Sequence, residues 1–103
     1  MNSERIKILE QFVAEDPTDP FNWYALALEL AKADKQKAKE IFDQLIRTNP
    51  GYVPVYYQAA LLYLELSLNE EATSIIENGI VQARKQNNLK AANELRGLLD
   101  EME

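Results

Sequence analysis

The chain has 103 residues, a formal net charge of −6, and neither cysteine nor histidine. A chain of this length forms one domain with a thin hydrophobic core, so residues 1–103 are expected to fold as a single domain. Without cysteine there are no disulfides, thiolate nucleophiles or cysteine-bound zinc, and without histidine the usual general base and the commonest metal ligand are missing.

The composition is typical of a soluble globular chain, with 47% apolar and 27% charged residues. Its apolar runs are too short to span a bilayer, and residues 1–11 lack the basic start and long apolar core of a signal peptide. The lack of cysteine suits a reducing compartment, and we expect a cytoplasmic protein with no membrane contact. Negative charge repels phosphate backbones, so nucleic acid is not an expected partner.

The first predicted helix covers residues 3–15. Its apolar side chains recur at a spacing of three and four, at Ile6, Leu9, Phe12 and Val13. Pro17 ends the helix because it keeps the residue before it out of helical geometry. Asp19 is then the expected N-cap of a second helix, with Pro20 at the first helical position.

The second predicted helix runs from Pro20 to about Ala33 and carries two apolar stripes. One stripe consists of Trp23, Leu26, Ala27 and Leu30; the other consists of Tyr24, Leu28 and Ala31. A helix that is apolar on two faces contacts neighbours on two sides. Asp34 is the expected cap of a third helix, which ends near Asn49 and has a stripe of Ala38, Ile41, Phe42 and Leu45.

Residues 52–66 repeat the pattern with two stripes, and Asn69 is the expected N-cap of a fifth helix that runs to about Gln86. Asn87 and Asn88 break the pattern. The last predicted helix, 88–102, has a single apolar face of Leu89, Ala92, Leu95, Leu98, Leu99 and Met102. The sequence therefore predicts six helices and no strands.

Matching positions recur 34 residues apart, from Ala38 to Ala72 and from Phe42 to Ile76. This period and its spacing resemble the tetratricopeptide repeat. The first copy, residues 20–52, matches that signature at Trp23, Leu26, Ala27, Leu30, Ala38, Phe42 and Pro50. The second copy, residues 53–86, matches it at Tyr56, Ala59, Ala60, Tyr63, Ala72 and Ile76.

The small residues in this pattern have a physical reason. Ala27, Ala38, Ala60 and Ala72 are predicted where the two helices of a hairpin come closest. The chain departs from the family pattern in its first hairpin turn, which is one residue short, and at Arg84, which stands where a closing proline is usual.

The resemblance implies an all-α, right-handed α-α superhelix of about six antiparallel helices. Residues 3–17 are similar to the second helix of a preceding repeat, although Arg5 replaces its packing alanine, and 88–102 are similar to a capping helix. Such arrays are non-catalytic interaction scaffolds whose first helices line a concave groove. The groove residues implied here are Phe21, Tyr24, Leu28, Pro54, Tyr57, Leu61 and Leu64, and Leu95 and Leu98 are candidates to extend the surface.

Two alternatives remain open for these residues. Leu28 and Leu61 fit equally well as core between neighbouring hairpins, whereas Tyr24 and Tyr57 offer large area with a polar tip and are better surface candidates.

A carboxylate-binding clamp is absent, so an apolar or mildly basic peptide or helix is the expected partner. The rival function is a self-associating scaffold whose groove or last helix forms a homodimer.

Catalysis has little support in the sequence. No glycine-rich phosphate loop is present, and no histidine is available to activate the serines. The carboxylates at helix starts are explained by capping. We therefore predict no enzyme activity, no catalytic residues, no cofactor and no metal site.

Overall fold

The computed structural model describes residues 2–103, which contain six α helices and no strand. The helices are α1 Asn2–Glu15, α2 Pro20–Ala33, α3 Lys35–Thr48, α4 Pro54–Glu65, α5 Asn69–Lys85 and α6 Leu89–Glu101. The prediction of an all-α fold with six helices is confirmed. The largest difference in helix bounds is at α4, which begins two residues after the predicted start at Tyr52.

The chain divides into two compact units, the first ending at Asn49 and the second beginning at Pro50. In the first unit α2 packs against both α1 and α3. In the second unit α5 packs against both α4 and α6, and α4 also contacts α6. Each unit is therefore a layer of three helices whose central helix has neighbours on two sides.

Three helix starts are capped by side chains. The Asp19 carboxylate accepts a hydrogen bond from the Phe21 amide at 2.9 Å, and Asp34 accepts one from Lys37 at 3.2 Å, as predicted. The Asn88 side chain caps α6 in the same way. These bonds satisfy amides that have no partner inside the helix.

The predicted cap at Asn69 is wrong. Asn69 is the first residue of α5, and its N-cap is Leu68, which makes no side-chain capping bond. The reason lies in the backbone, because the Leu68 carbonyl accepts from the Ala72 amide at 2.9 Å and so starts the helix one residue earlier.

Two helices end in a left-handed residue that is not glycine. Ser67 follows α4 with φ 62°, and Asn87 follows α5 with φ 57°. In the first case the Leu68 amide donates to the Tyr63 carbonyl at 2.9 Å and the Ser67 amide donates to Leu64 at 3.0 Å. This is the Schellman arrangement, which satisfies the last carbonyls of a helix and reverses the chain into the next one.

The predicted small contact residues are all buried. Ala27, Ala38, Ala60 and Ala72 each have 0% exposure. The first unit buries larger side chains around them at Val13, Leu26, Leu30, Phe42 and Leu45. The second unit does the same with Val55, Tyr56, Leu62, Tyr63, Ile76, Ile80, Leu95 and Leu98. The hairpin packing predicted from the small residues is confirmed.

Two residues of the predicted apolar faces lie outside the core. Phe12 is 46% exposed, because it lies about 100° around α1 from the buried Val13 and α1 has one neighbouring helix in its unit. Leu89 is 66% exposed, since it lies about 120° around α6 from the buried Leu95. The predicted apolar stripes therefore cover a wider arc of the helix surface than the contact with one neighbouring helix buries.

The first unit also buries one charge. Glu29 is 6% exposed, and its carboxylate lies 3.2 Å from Nε of Arg5 and 3.5 Å from Nζ of Lys32. Arg5 thus joins α1 to α2 where the family pattern has a small residue. A buried carboxylate requires such partners, because an unpaired charge away from water is strongly unfavourable.

Candidate binding surfaces

The candidate residues of α2 share one face of that helix. Phe21, Tyr24 and Leu28 are spaced by three and four residues, which places them on one side of a helix. Phe21 is 59% exposed, and Tyr24 and Leu28 are half-buried. The buried residues of α2 lie on the other side, so these three form an apolar and partly accessible strip, called here the α2 face.

The candidate residues of α4 form a similar strip. Pro54, Tyr57, Leu61 and Leu64 lie on one side of the helix, where Pro54 is exposed and the other three are half-buried. The side chains of the opposite side, including Val55 and Ala59, are fully buried. We call these four residues the α4 face.

The sequence leaves Leu28 and Leu61 open as either core residues or surface residues. Neither belongs to the fully buried set, and both are half-buried. Leu95 and Leu98, in contrast, are 1% and 6% exposed. They pack inside the second unit and do not extend a binding surface, so that prediction is wrong.

A repeated hydrogen bond orients the start of each face. The indole Nε1 of Trp23 donates to the Pro17 carbonyl at 2.8 Å, and the Tyr56 hydroxyl donates to the Pro50 carbonyl at 2.5 Å. In both cases the donor is six residues after the proline. Each bond ties a helix to the turn before it and satisfies the polar tip of a large aromatic side chain.

A second bond holds the turn before α4. Nε2 of Gln86, at the end of α5, donates to the Gly51 carbonyl at 2.7 Å. Sequence reasoning missed both this bond and the aromatic–proline pair. The equal spacing of Trp23 and Tyr56 from their prolines was a signal that could have revealed the pair.

Burial raises the pKa of the Tyr24 phenol above its ordinary value of 10.0. Tyr24 therefore remains neutral at physiological pH, and the α2 face carries no charge of its own. In α4 the sole charged residue is Glu65. Neither face presents the lysines or arginines that would attract a carboxylate ligand.

Two kinds of functional feature are absent from residues 2–103. No group of three or more carboxylates there is arranged to hold a metal ion. None of the helices in that range has the length and apolar character needed to cross a membrane.

No family model and no curated protein sequence matches the chain. Solved structures do match it. A tetratricopeptide repeat domain protein from Salinibacter ruber, solved by NMR, is 38% identical over 81% of this chain and 85% of that one, with a TM-score of 0.77. A crystal structure of the domain from the same organism is 37% identical over 78% of this chain and 90% of that one, with a TM-score of 0.73.

The crystal structure of the MamA protein is also similar, at 28% identity with a TM-score of 0.71. The match covers 97% of this chain and 57% of MamA. The level of identity and coverage to the Salinibacter domain shows that the chain belongs to the tetratricopeptide repeat family. Domains of this family are in general protein-interaction modules that bind protein partners, and they are typically non-catalytic scaffolds.

Proposed function

We propose that the chain is a non-catalytic protein–protein interaction module that binds a peptide or a partner helix through the α2 face and the α4 face. The observation that carries the proposal is the α4 face itself. Tyr57, Leu61 and Leu64 form an apolar strip that is partly open to solvent, in a family whose members bind proteins. Large apolar side chains with a tyrosine tip are favourable binding residues, because they bury much area at low entropic cost.

The partner is expected to be apolar and neutral or mildly basic. The chain carries a net charge of −6, and α4 contains no lysine or arginine. A negative field slows the approach of an acidic ligand and favours a basic one. We also propose a cytoplasmic location, because the chain has no cysteine for an oxidising compartment to pair.

The experiment is a peptide-array screen followed by tests of the best binder against the double variant Tyr24→Ala with Tyr57→Ala. Binding should be abolished while the helical circular dichroism signal is unchanged. Phe12→Ala is the matched control, since Phe12 is a 46% exposed aromatic residue of α1, outside both faces. If an acidic C-terminal tail binds best, or if the double variant binds as wild type does, the assignment of the two faces is wrong.

A second candidate function is self-association, favoured by an exposed apolar pair on α1. Ile8 and Phe12 are 51% and 46% exposed and lie one turn apart on the same side of that helix. The last helix is a poorer candidate for dimerisation, because Leu95 and Leu98 are already buried. Light scattering over a concentration series separates the candidates, since Phe12→Ala would lower the apparent mass of a dimer and leave that of a monomeric module unchanged.

A further inference from the structure

A cleft of about 410 Å³ opens within the second unit. It lies where the end of α4, the start of α5 and the end of α6 come together. Leu64, Leu99 and Met102 supply its apolar wall, and all three are half-buried. Only Leu64 belongs to the α4 face, so most of the cleft lies outside the surface proposed above.

The polar side of the cleft is acidic. Glu70 and Glu103 line it, together with Asn69 and Thr73, and no lysine or arginine does. Among residues 2–103, neither carboxylate forms an ion pair with a basic residue of the chain. The Thr73 hydroxyl donates to the Asn69 carbonyl at 3.0 Å, so its oxygen still has lone pairs that accept from a ligand N–H.

Two of the three helix ends at the cleft add to its negative potential, because α4 and α6 both end there. The third end is the start of α5, whose partial positive charge is offset by Glu70 in its own first turn. The last turn of α6 contains no basic residue, so the partial negative charge of its terminal carbonyls is not compensated there. The basic residues of the two helices lie away from the carboxylates of the cleft. At the helical rise of 1.5 Å per residue, Arg84 of α5 is about 21 Å from Glu70, and Arg96 of α6, seven residues before Glu103, is about 10 Å from it. Both distances exceed the Debye length of about 8 Å at physiological ionic strength.

We infer that this cleft binds the basic side chain, lysine or arginine, of a partner protein segment. The apolar wall of Leu64, Leu99 and Met102 suits the aliphatic stem of such a side chain, and Glu70 and Glu103 suit its cationic head. A basic residue buries its stem on apolar surface while its charge stays near water and opposite charge. The inference rests on the proposed function in one respect, that the basic side chain belongs to a bound protein.

The charge of the cleft decides against the other ligand classes. An acidic side chain would meet two carboxylates and the C-terminal ends of α4 and α6, all unfavourable for an anion. The one favourable end, the start of α5, already carries Glu70 in its first turn. A purely apolar side chain would cover the carboxylates without pairing them, which costs desolvation energy. A basic side chain is the single class that satisfies both the apolar wall and the acidic rim.

The test uses a blocked lysine, Nα-acetyl-lysine-N-methylamide, titrated into the isotope-labelled protein and followed by NMR. Blocked norleucine, which keeps the stem and lacks the amine, is the paired probe. We expect saturable shifts of the methyl groups of Leu64, Leu99 and Met102, and roughly fivefold weaker binding of the norleucine probe, since two exposed ion pairs contribute modestly. Equal affinity of the two probes, or shifts spread over other surfaces, would overturn the inference.

The contribution of the two carboxylates to lysine binding is measured with the double variant Glu70→Gln with Glu103→Gln. It should weaken lysine binding roughly fivefold without weakening norleucine binding, which loses only the cost of covering two charges. The control, Glu77→Gln with Glu94→Gln, removes the same total charge from exposed positions of α5 and α6 that are about 10 Å or more from the matched carboxylates. An equal loss in the control would show that only net charge matters and would overturn the inference.

The outcome of these titrations does not depend on whether the α2 face and the α4 face bind a partner. The probes are single amino acids, so the assay requires no partner and does not depend on Tyr24 or Tyr57. If the cleft binds lysine while the tyrosine variants retain the peptide, the proposed faces are wrong and the cleft remains. If the reverse holds, the faces remain and the inference about the cleft fails.

Discussion

The backbone of Gly79 lies against the side chain of Tyr56. A Cβ atom added to Gly79 would be 2.6 Å from Cβ of Tyr56 and 2.9 Å from Cδ1 of Leu95, distances at which neighbouring atoms must move. Gly79 is on α5, between Tyr56 on α4 and Leu95 on α6. The missing side chain therefore lets the central helix of the second unit approach both neighbours at once.

The first prediction compares two helical glycines. Gly79→Ala should lower the free energy of unfolding by about 1–3 kcal/mol, because the added methyl group overpacks a buried contact. Gly97→Ala on α6 should raise it by about 0.5–1 kcal/mol, since a Cβ there meets nothing within 4 Å and alanine favours a helix. Urea denaturation of both variants checks the pair, and changes of the same sign would contradict the packing described here.

The second prediction concerns the alanines at the hairpin contacts. Ala60→Leu or Ala72→Leu should each lower the free energy of unfolding by about 1–3 kcal/mol, because both positions have 0% exposure and no room for a larger side chain. Ala14→Leu is the control, since Ala14 is exposed on α1. Thermal unfolding should show a marked shift for the first two and little for the third; equal shifts would refute the helix register.

A third prediction tests the turn after α4. Ser67→Gly should raise the free energy of unfolding by about 1 kcal/mol, because Ser67 has φ 62° and glycine removes the steric cost of that left-handed conformation. Ser74→Gly, at an exposed position inside α5, should lower it by about 0.5–1 kcal/mol. Chemical denaturation measures both changes, and a loss of stability at position 67 would be inconsistent with the observed turn.

The fourth prediction is a loss of stability at alkaline pH. Burial raises the pKa of the Tyr56 phenol above 10.0, so the folded chain holds this proton more tightly than the unfolded chain. The stabilisation is fully present below pH 10.0 and is lost as the pH rises through the folded-state pKa. Tyr56→Phe should unfold more easily at neutral pH, having lost its bond to Pro50, and should show a shallower decline above pH 10.0. If stability falls equally steeply above pH 10.0 in Tyr56→Phe and in wild type, the loss does not come from the Tyr56 phenol.

The helical periodicity of the sequence was sufficient to predict the fold. Period, proline positions and small residues located six helices and the four alanine contacts, because each of these signals is local. The exposure of Phe12 and Leu89 was not predictable, since it depends on how many helices pack around α1 and α6. The Arg5–Glu29 pair was missed for a similar reason, because 24 residues separate two charges that meet only after α1 packs on α2.

The candidate site was predictable in part. Spacing alone placed Phe21, Tyr24 and Leu28 on one side of a helix, and the structure has them there with partial exposure. Leu95 and Leu98 were misassigned, because a single apolar face does not reveal whether a helix uses it inside or outside its unit. The acidic cleft was not predicted, since its lining comes from the ends of three helices that are distant in sequence.

The central claim is that the tyrosines of the α2 and α4 faces bind a protein partner. The most direct test is calorimetric titration of the best array peptide into wild type, Tyr24→Ala, Tyr57→Ala and the Phe12→Ala control, each with circular dichroism to verify folding. We predict that each tyrosine variant binds the peptide about tenfold more weakly or worse, as expected for interface hot spots. The control should bind with wild-type affinity. Wild-type affinity in both tyrosine variants, or a loss confined to Phe12→Ala, would contradict the account.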